Sequence, residues 1–416
     1  MWKKVFKSSA IILGGTVIAR IFSFLARLIL IRNLSIEDYA IFAFLYTAFI
    51  WLAVFAHFDL YAGVSKFVGE YRTQNAPSKA WNYYVNAVLM VCGFSLLGIF
   101  AGVGISIGKG IGIVSLFLFF AGLLPFALSN INEGFLKGYQ RFGTSTIINI
   151  LTGLSLFVAF AVLAAISKVA LTSALILFSG SMIIPLIVGN LFVVKIAKPS
   201  KSRTINYRRC AVRNLFHYSK WISVTDLLNS GIILYCTFVL AHLYLKDLAL
   251  YNVVISIYGL FQMAFGSITT VLIPLVSARK ARNESITLPK GSEFVRLIGI
   301  TLIIIVGLAA LNPYRGEIAR LIFKNTAYAD FIHYVIILVI TFPFRIFTMA
   351  YKGIVQGLGQ TKAIAKVAVV SFITNTILFV PAYKIWGLRG AIGSMVITYI
   401  VEFACTRKVA LRLIAS

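Results

Sequence analysis

The sequence predicts an all-α integral membrane protein of twelve transmembrane helices, arranged as two six-helix lobes related by a pseudo-two-fold axis along the membrane normal. Composition points there first. Of 416 residues 60% are hydrophobic and 12% charged, with a mean hydropathy of +0.93, beyond the range of a soluble domain of this length. The second observation is the recurrence, from one end of the chain to the other, of apolar stretches near the ~20 residues that a helix rising 1.5 Å per residue needs to cross a bilayer. The third is an internal duplication that divides the spans six and six. Barrel strands are excluded, because their segments are about ten residues long and alternate apolar with polar; no such alternation is sustained here.

The first expected span, residues 7–31, opens as MWKKVFKSSAIILGG, a basic-then-apolar start with the look of a secretory signal. Its apolar run continues without an A-x-A-type cleavage site, so an uncleaved span is expected. Residues 39–66, 81–105, 111–138, 145–166 and 171–196 complete the first six, and residues 214–241, 248–276, 294–311, 331–351, 363–385 and 390–405 form the second six. The expected domains are therefore a lobe at 1–200, a basic cytoplasmic linker at 201–213 and a lobe at 214–416. LSIEDYAIFAF at 34–44 aligns with LYLKDLALYNV at 243–253, pairing Leu34 with Leu243, Asp38 with Asp247 and Ala40 with Ala249. Further on, Pro125-Phe126 precedes Gly134 and Gly138 as Pro343-Phe344 precedes Gly353 and Gly357. Repeats in the same membrane orientation require an axis along the membrane normal, and the Gly-x-x-x-Gly pairs also suit close helix packing.

A formal net charge of +27 would suggest a nucleic-acid binder in a soluble chain. Here, with the N-terminus inside, 27 of the 39 Lys and Arg fall on cytoplasmic flanks, 9 on outer flanks and 3 within spans. That is the positive-inside pattern, and it places both termini in the cytoplasm. The collars include Lys3, Lys4 and Lys7, the cluster from Lys195 to Arg213, and Arg407, Lys408 and Arg412. Such collars suit anionic lipid headgroups, and no aromatic-interleaved tract accompanies them, so no nucleic-acid partner is expected. Cys92, Cys210, Cys236 and Cys405 lie far apart, and His57, His217, His242 and His333 form no cluster. Neither a disulfide framework nor a metal site is predicted, and no cofactor.

Charge within a span costs about 2.5–3.5 kcal/mol on insertion scales and tends to mark function. Arg20 and Arg27, seven residues apart, share one face of the first helix with Ser23 between them. Arg20 lies too deep for easy snorkelling, whereas Arg27 can reach the outer interface. Asp59 in the second span, Asp226 in the seventh and Arg345 in the tenth are the other deep charges. A structural pair between Asp59 and Arg20 would neutralise both. Glu133 is four residues before Lys137, the spacing of a helical ion pair, and Glu402 is near enough to Arg407 to be interfacial. Asn229, Gln262 and Asn375 either line a polar path or bond between helices. No G-x-S-x-G, H-E-x-x-H or P-loop occurs, and the longest expected outer loop, 312–330, is about nineteen residues long. An enzyme is not predicted.

The first span with its two arginines, RNLSIEDYAIFAF, FDLYAGVSKFVGEYR at 58–72, VLIPLVSAR at 271–279 and GIVQGLGQTK at 353–362 together resemble the polysaccharide-transporter branch of the multidrug, oligosaccharidyl-lipid and polysaccharide (MOP) exporter superfamily. That branch includes the Wzx-type O-antigen flippases. The resemblance spans essentially the whole chain. It implies two lobes forming a V around a central cavity that opens alternately to each side of the plasma or inner membrane. It also implies, as cargo, a polyprenyl-(di)phosphate-linked oligosaccharide moved to the outer leaflet for surface polysaccharide biosynthesis, with glycan polymerase machinery as a further partner.

Physical reasoning agrees with that cargo, since a phosphate and a glycan cannot cross hydrocarbon unaided and cations at mid-depth would ease their passage. Arg20, Arg27 and Arg345 are the expected phosphate-binding residues, Arg being suited to bidentate oxyanion contact, and Ser23 adds a hydroxyl. Asp59 and Asp226 are the expected sites for H⁺ or Na⁺ coupling, with a structural pair the alternative for each. Three rivals stand beside this reading. A lipid II-type flippase usually carries fourteen spans; a MATE-like multidrug exporter would use an acidic cavity; a membrane glycan polymerase needs a reactive residue in an outer loop.

Overall fold

The computed structural model describes residues 2–108, 110–166, 169–197, 209–281 and 291–415. Most of the expected linker, 201–208, lies outside them, as do Lys198 and Arg282. Among the described residues every regular element is helical. In chain order they are α1 (Trp2–Asn33), α2 (Ile36–His57), α3 (Leu60–Thr73), α4 (Pro77–Ser106), α5 (Ile113–Ala121), α6 (Leu123–Gly138), α7 (Phe142–Ile166), α8 (Leu171–Ser181) and α9 (Ile183–Ala197). There follow α10 (Arg209–Leu243), α11 (Leu245–Ala281), α12 (Gly291–Leu311), α13 (Arg315–Phe323), α14 (Phe331–Val339), α15 (Phe342–Gly357) and α16 (Thr361–Ala415).

Nine helical stretches among the described residues are long and apolar enough to cross a membrane, and ten when the bent pair Thr326–Val339 and Phe342–Gly357 is taken as one span. The expected eighth span coincides with α11, and the last two both lie in α16. There Gly387 (φ 60°, ψ −145°) interrupts the helical backbone. Asn375 Nδ2 donates to Thr398 Oγ1 (3.4 Å) across this point, so the arms on either side of Gly387 run back along each other. Only glycine adopts that conformation without strain. A Cβ on Gly390 would also lie 1.9 Å from the Ala382 carbonyl oxygen, so both glycines are needed for so short a turn.

Several spans are broken. α5 meets α6 at Gly122, with Pro125 just inside α6, and α14 meets α15 at a 51° bend with Pro343 in the first turn of α15. Proline removes a backbone donor and clashes with the preceding turn, which accounts for the interruption at Gly122 and the bend before α15. The break between α2 and α3 is different. Phe58 (φ 44°) and Asp59 (φ 45°) are both left-handed, though neither is glycine or proline.

The chain divides into two compact units, residues 1–227 and 228–416, the boundary falling within α10. In the first unit a core of Leu60, Val64, Val68, Ala87, Ile131 and Phe135 joins α3, α4 and α6. In the second, Val276, Phe347, Ile354 and Ala410 join α11, α15 and α16. The glycine repeats make the same contact in each. A Cβ at Gly134 would meet the Tyr61 carbonyl oxygen at 2.4 Å and one at Gly138 would meet Val68 Cβ at 2.8 Å. Likewise a Cβ at Gly353 would meet Leu272 Cβ at 2.9 Å and one at Gly357 would meet Val276 Cβ at 2.7 Å. Side-chain-free positions let backbones approach where lipid supplies no hydrophobic drive. Elsewhere large apolar side chains such as Leu97, Phe100, Ile303 and Ile377 are exposed, as a bilayer-facing surface requires.

The expected long outer loop is itself structured. α13 and two 3₁₀ turns fill it, and Arg315 and Asp330 pair at 3.2 Å across its ends.

Candidate functional site

In the first unit α1 lies directly on α7, because a Cβ at Gly153 would stand 2.1 Å from the Ala19 carbonyl oxygen. The next residue, Arg20, lines a cavity of about 240 Å³. Its lining includes an aromatic cluster, in which Phe49 and Phe178 meet edge to face at 4.9 Å between centroids and Tyr46 and Phe178 at 5.6 Å. Its polar lining comprises Ser23, Ser129, Asn130, Glu133, Asn149 and Thr152 beside Arg20.

The hydroxyl protons of Ser23, Ser129 and Thr152 are already used. Ser23 Oγ donates to the Ala19 carbonyl (2.9 Å), Ser129 Oγ to that of Pro125 (2.8 Å) and Thr152 Oγ1 to that of Ile148 (3.0 Å). A hydroxyl whose proton is engaged on its own helix offers the cavity lone pairs only. Glu133 is the one carboxylate among the described lining residues, and its charge is met locally. Its Oε2 accepts from Lys137 Nζ (2.9 Å), Asn149 Nδ2 (2.9 Å) and Ser145 Oγ (3.4 Å). Among the described residues no ion pair joins Arg20 to a carboxylate. With Lys137 counted beside Glu133, the described charges at the cavity leave one net positive charge, and the guanidinium is the principal donor.

The i, i+4 pair of Glu133 and Lys137 is thus present, but Asn149 and Ser145 of α7 make it part of the cavity wall. Sequence reading missed that role, along with Asn130, Asn149 and Tyr46. The available signal was Asn130 and Glu133, three residues apart on one face of a membrane helix. Arg27 lies beyond the lining and stacks over the Tyr46 ring at 4.3 Å, a cation–π contact that links it to the cavity through Tyr46.

Asp59 and Asp226 are brought together in the same unit. Asp59 is 1% exposed, and Asp226 of α10 stands close enough for its charge to act on both Asp59 and Tyr61. The first half of α10 seals the α2–α3 break. Phe216 stacks on Phe58 (5.2 Å, 6°), and Ser219 Oγ donates to the Asp59 carbonyl (3.1 Å). Among the described residues no ion pair joins Asp59 to Arg20.

Arg345 belongs to the second unit and is buried. Its Nη1 bonds Glu402 Oε2 at 2.5 Å, while Lys352 Nζ bonds Glu402 Oε1 at 2.5 Å. The guanidinium also covers the Tyr399 ring at 4.3 Å. Glu402, placed at the interface by its nearness to Arg407, is instead 3% exposed and holds two cations. Gln262 and Asn375 bond between helices, to Tyr399 (3.5 Å) and Thr398 (3.4 Å). Among the described residues no group of three His, Cys, Asp or Glu has the arrangement of a metal site.

Comparison with known proteins places this geometry. The sequence matches the polysaccharide biosynthesis protein family over residues 5–280 and the MatE family over residues 222–380. No curated protein sequence matches. An inward-facing multidrug resistance MATE family transporter of the MOP superfamily superposes with a TM-score of 0.74 at 15% identity, covering 98% of each chain. An outward-facing MATE transporter gives 0.70 at 16% identity, over 99% of this chain and 96% of that one. A MOP superfamily transporter from Pyrococcus furiosus, described as having a binding pocket of reverse polarity that suggests a different function, gives 0.71 at 14% identity over 99% and 96%. Likeness at this identity establishes the fold, that of two-lobed, twelve-helix membrane transporters. The family match covers well over half the sequence, and the chain belongs to the polysaccharide biosynthesis protein family.

Proposed function

We propose that this multi-pass membrane transporter is a flippase that carries a polyprenyl-(di)phosphate-linked oligosaccharide from the cytoplasmic to the outer leaflet by alternating access between lobes at 1–200 and 214–416. The observation that carries the reading is Arg20, which lines a cavity whose only described carboxylate is already bound by Lys137, Asn149 and Ser145. A guanidinium at a cavity within a span, without a carboxylate partner, favours an oxyanion, and its planar fork suits phosphate. The volume, about 240 Å³, is below the ~300–1,000 Å³ usual for drug-sized ligands. It suits a phosphate group while glycan and tail lie elsewhere. Lone pairs on Ser23, Ser129 and Thr152 accept from phosphate or sugar hydroxyls.

Arg27 supports the site through Tyr46, and Arg345 is the proposed cation of the second lobe. Asp59 and Asp226 are the proposed coupling residues. The protein works in the plasma or inner membrane with both termini in the cytoplasm, alongside glycan polymerase machinery. The reverse-polarity pocket of the Pyrococcus furiosus relative is a precedent for a superfamily member with cargo other than cationic drugs.

The test is leaflet exchange of a polyprenyl-diphosphate-linked sugar in proteoliposomes, read by accessibility to an added enzyme. Wild type should exchange the lipid, and Arg20→Ala should slow exchange at least about tenfold, the equivalent of losing one charge-assisted contact of ~1.5 kcal/mol. Unchanged exchange by a correctly inserted Arg20→Ala variant would refute the assignment. Export of cationic dyes by wild type, without lipid exchange, would favour a multidrug exporter.

A further inference from the structure

Three hydrogen bonds converge on one oxygen of Glu133 and leave the other without a partner. Lys137 Nζ, Asn149 Nδ2 and Ser145 Oγ all donate to Oε2, and among the described residues nothing donates to Oε1. Glu133 is 6% exposed, yet Oε1 is not among the unpaired side-chain oxygens closed off from open space. It therefore reaches open space, and the space that Glu133 lines is the cavity beside Arg20. The neighbouring amides repeat the pattern. Asn130 Nδ2 donates to the Phe126 carbonyl of its own helix at 3.0 Å and Asn149 Nδ2 to Glu133. The oxygen of each has no partner among the described residues and opens on the cavity by the same reasoning.

With the lone pairs of Ser23, Ser129 and Thr152 added, acceptors predominate around the guanidinium. A diphosphate esterified at both ends carries no proton at neutral pH. It can accept from Arg20, but it has nothing to donate to the oxygens of the wall. An acceptor that meets no donor once the cavity is filled loses its hydration with nothing in its place, so a donor must accompany the anion. Ammonium and hydroxyl groups are the two candidates. The charge of Glu133 is matched by Lys137, and Arg20 adds a further positive charge, so an ammonium group would enter against repulsion. Neutral hydroxyls meet none, and their bonds to a carboxylate are of the strong, charge-assisted kind.

We infer that this cavity is a glycosyl-phosphate subsite. Arg20 holds the phosphate, and Glu133 Oε1, with the side-chain oxygens of Asn130 and Asn149, accepts from hydroxyls on the edge of the sugar esterified to it. The rest of the glycan lies outside. The bonds from Lys137, Asn149 and Ser145 then position the carboxylate, holding Oε2 so that Oε1 is left to the ligand. Glu133 becomes the residue that distinguishes a sugar-bearing phosphate from one without a sugar. The inference rests on the transport reading above, which supplies a lipid-linked sugar as the cargo.

Binding of short lipids to the purified full-length chain in nanodiscs, read by native mass spectrometry, tests it. The probes are farnesyl diphosphate carrying glucose, galactose or N-acetylglucosamine on its terminal phosphate, and the same lipid capped there by a methyl group, which keeps the charge and lacks the hydroxyls. Wild type should bind at least one sugar-bearing probe about tenfold more tightly than the capped lipid, the equivalent of one hydrogen bond to a charged group. Glu133→Gln keeps an acceptor for Lys137, Asn149 and Ser145 and puts an NH2 donor in place of Oε1. It should abolish that preference and leave the capped lipid bound at least as tightly as before. Arg20→Ala should weaken both kinds of probe. The wild-type comparison needs no substitution and stands even if Glu133→Gln fails to insert. Equal binding of sugar-bearing and capped lipids by wild type, or a preference that survives Glu133→Gln, would overturn the inference and leave Arg20 as a phosphate site. Equal weakening of both kinds of probe by Glu133→Gln would mark the carboxylate as support for the wall alone, and would also overturn it. Failure of wild type to bind any of these lipids would count against the transport reading itself, and the subsite would fall with it.

Discussion

Replacing Glu402 by Gln should be among the most damaging single changes in the second unit. Arg345 and Lys352 are 9% and 7% exposed, and both place a nitrogen 2.5 Å from a different oxygen of Glu402. Solvent screening is slight at that burial, so the small values measured for surface pairs do not apply. Glu402→Gln keeps the shape but turns one acceptor oxygen into an NH2 donor facing a cation, and leaves two buried cations without an anion. Removing one partner of a buried pair costs about 3–5 kcal/mol. At 1.4 kcal/mol per decade this is at least a hundredfold, roughly, in the ratio of folded to unfolded protein. The assay is recovery of monodisperse protein after graded heating in detergent, together with denaturant titration. The control is Arg345→Met/Lys352→Met/Glu402→Leu, which removes all three charges and should regain most of the loss, since an apolar replacement of a buried ion cluster is often neutral or stabilising. The reasoning fails if Glu402→Gln is as stable as wild type, or if the triple variant is no better than the single one. Lipid exchange by a stable triple variant also tests Arg345: undiminished exchange would remove it from the phosphate pathway.

Gly153→Ala should cost about 1–3 kcal/mol by overpacking and displace Arg20, because the new Cβ would lie 2.1 Å from the Ala19 carbonyl where real contacts stay beyond 3.0 Å. Gly93→Ala, which meets no atom within 4 Å, should be neutral to slightly stabilising in the same thermal assay. Gly387→Ala should cost about 1–3 kcal/mol, because its backbone conformation is strained for any residue with a Cβ; the check is the yield of folded, membrane-inserted protein.

The spans were legible in the sequence because an unbroken apolar run of membrane length, repeated along a chain, has more surface to bury than a soluble core can take. The interruption at Gly122–Pro125 and the bend near Pro343 carry their cause in the local sequence. The break at Phe58–Asp59 does not. Its left-handed residues are sustained by Phe216 and Ser219, more than 150 positions away in the chain, so no local propensity announces it. Arg20 stands out in the sequence because a deep charge in a span requires a reason, and the structure places it on a cavity lining. Glu133 was assigned too little because Lys137 explains it locally, and the contribution of Asn149 is visible only once α6 and α7 are packed. Glu402 was misplaced for the complementary reason. Arg407 is five positions on, a spacing that does not bring two helical side chains together, while its true partner Arg345 lies 57 positions away.

The duplication gives these charges a common frame. Glu133 directly precedes Gly134, and Lys352 directly precedes Gly353, the two glycines that seat α6 and α15 on their neighbours in equivalent ways. The packing element has been kept in both halves while the charge beside it has reversed. In the first unit the carboxylate is satisfied by a lysine one turn along its own helix and an asparagine of α7, which leaves Arg20 free of a carboxylate at the cavity. In the second, the lysine is satisfied by Glu402, which also takes Arg345, and the cluster closes on itself. The same helical frame thus yields one unit whose spare cation faces a cavity and one whose cations are bound internally. That difference makes Arg20, rather than Arg345, the first position at which loss of an anionic cargo should be sought.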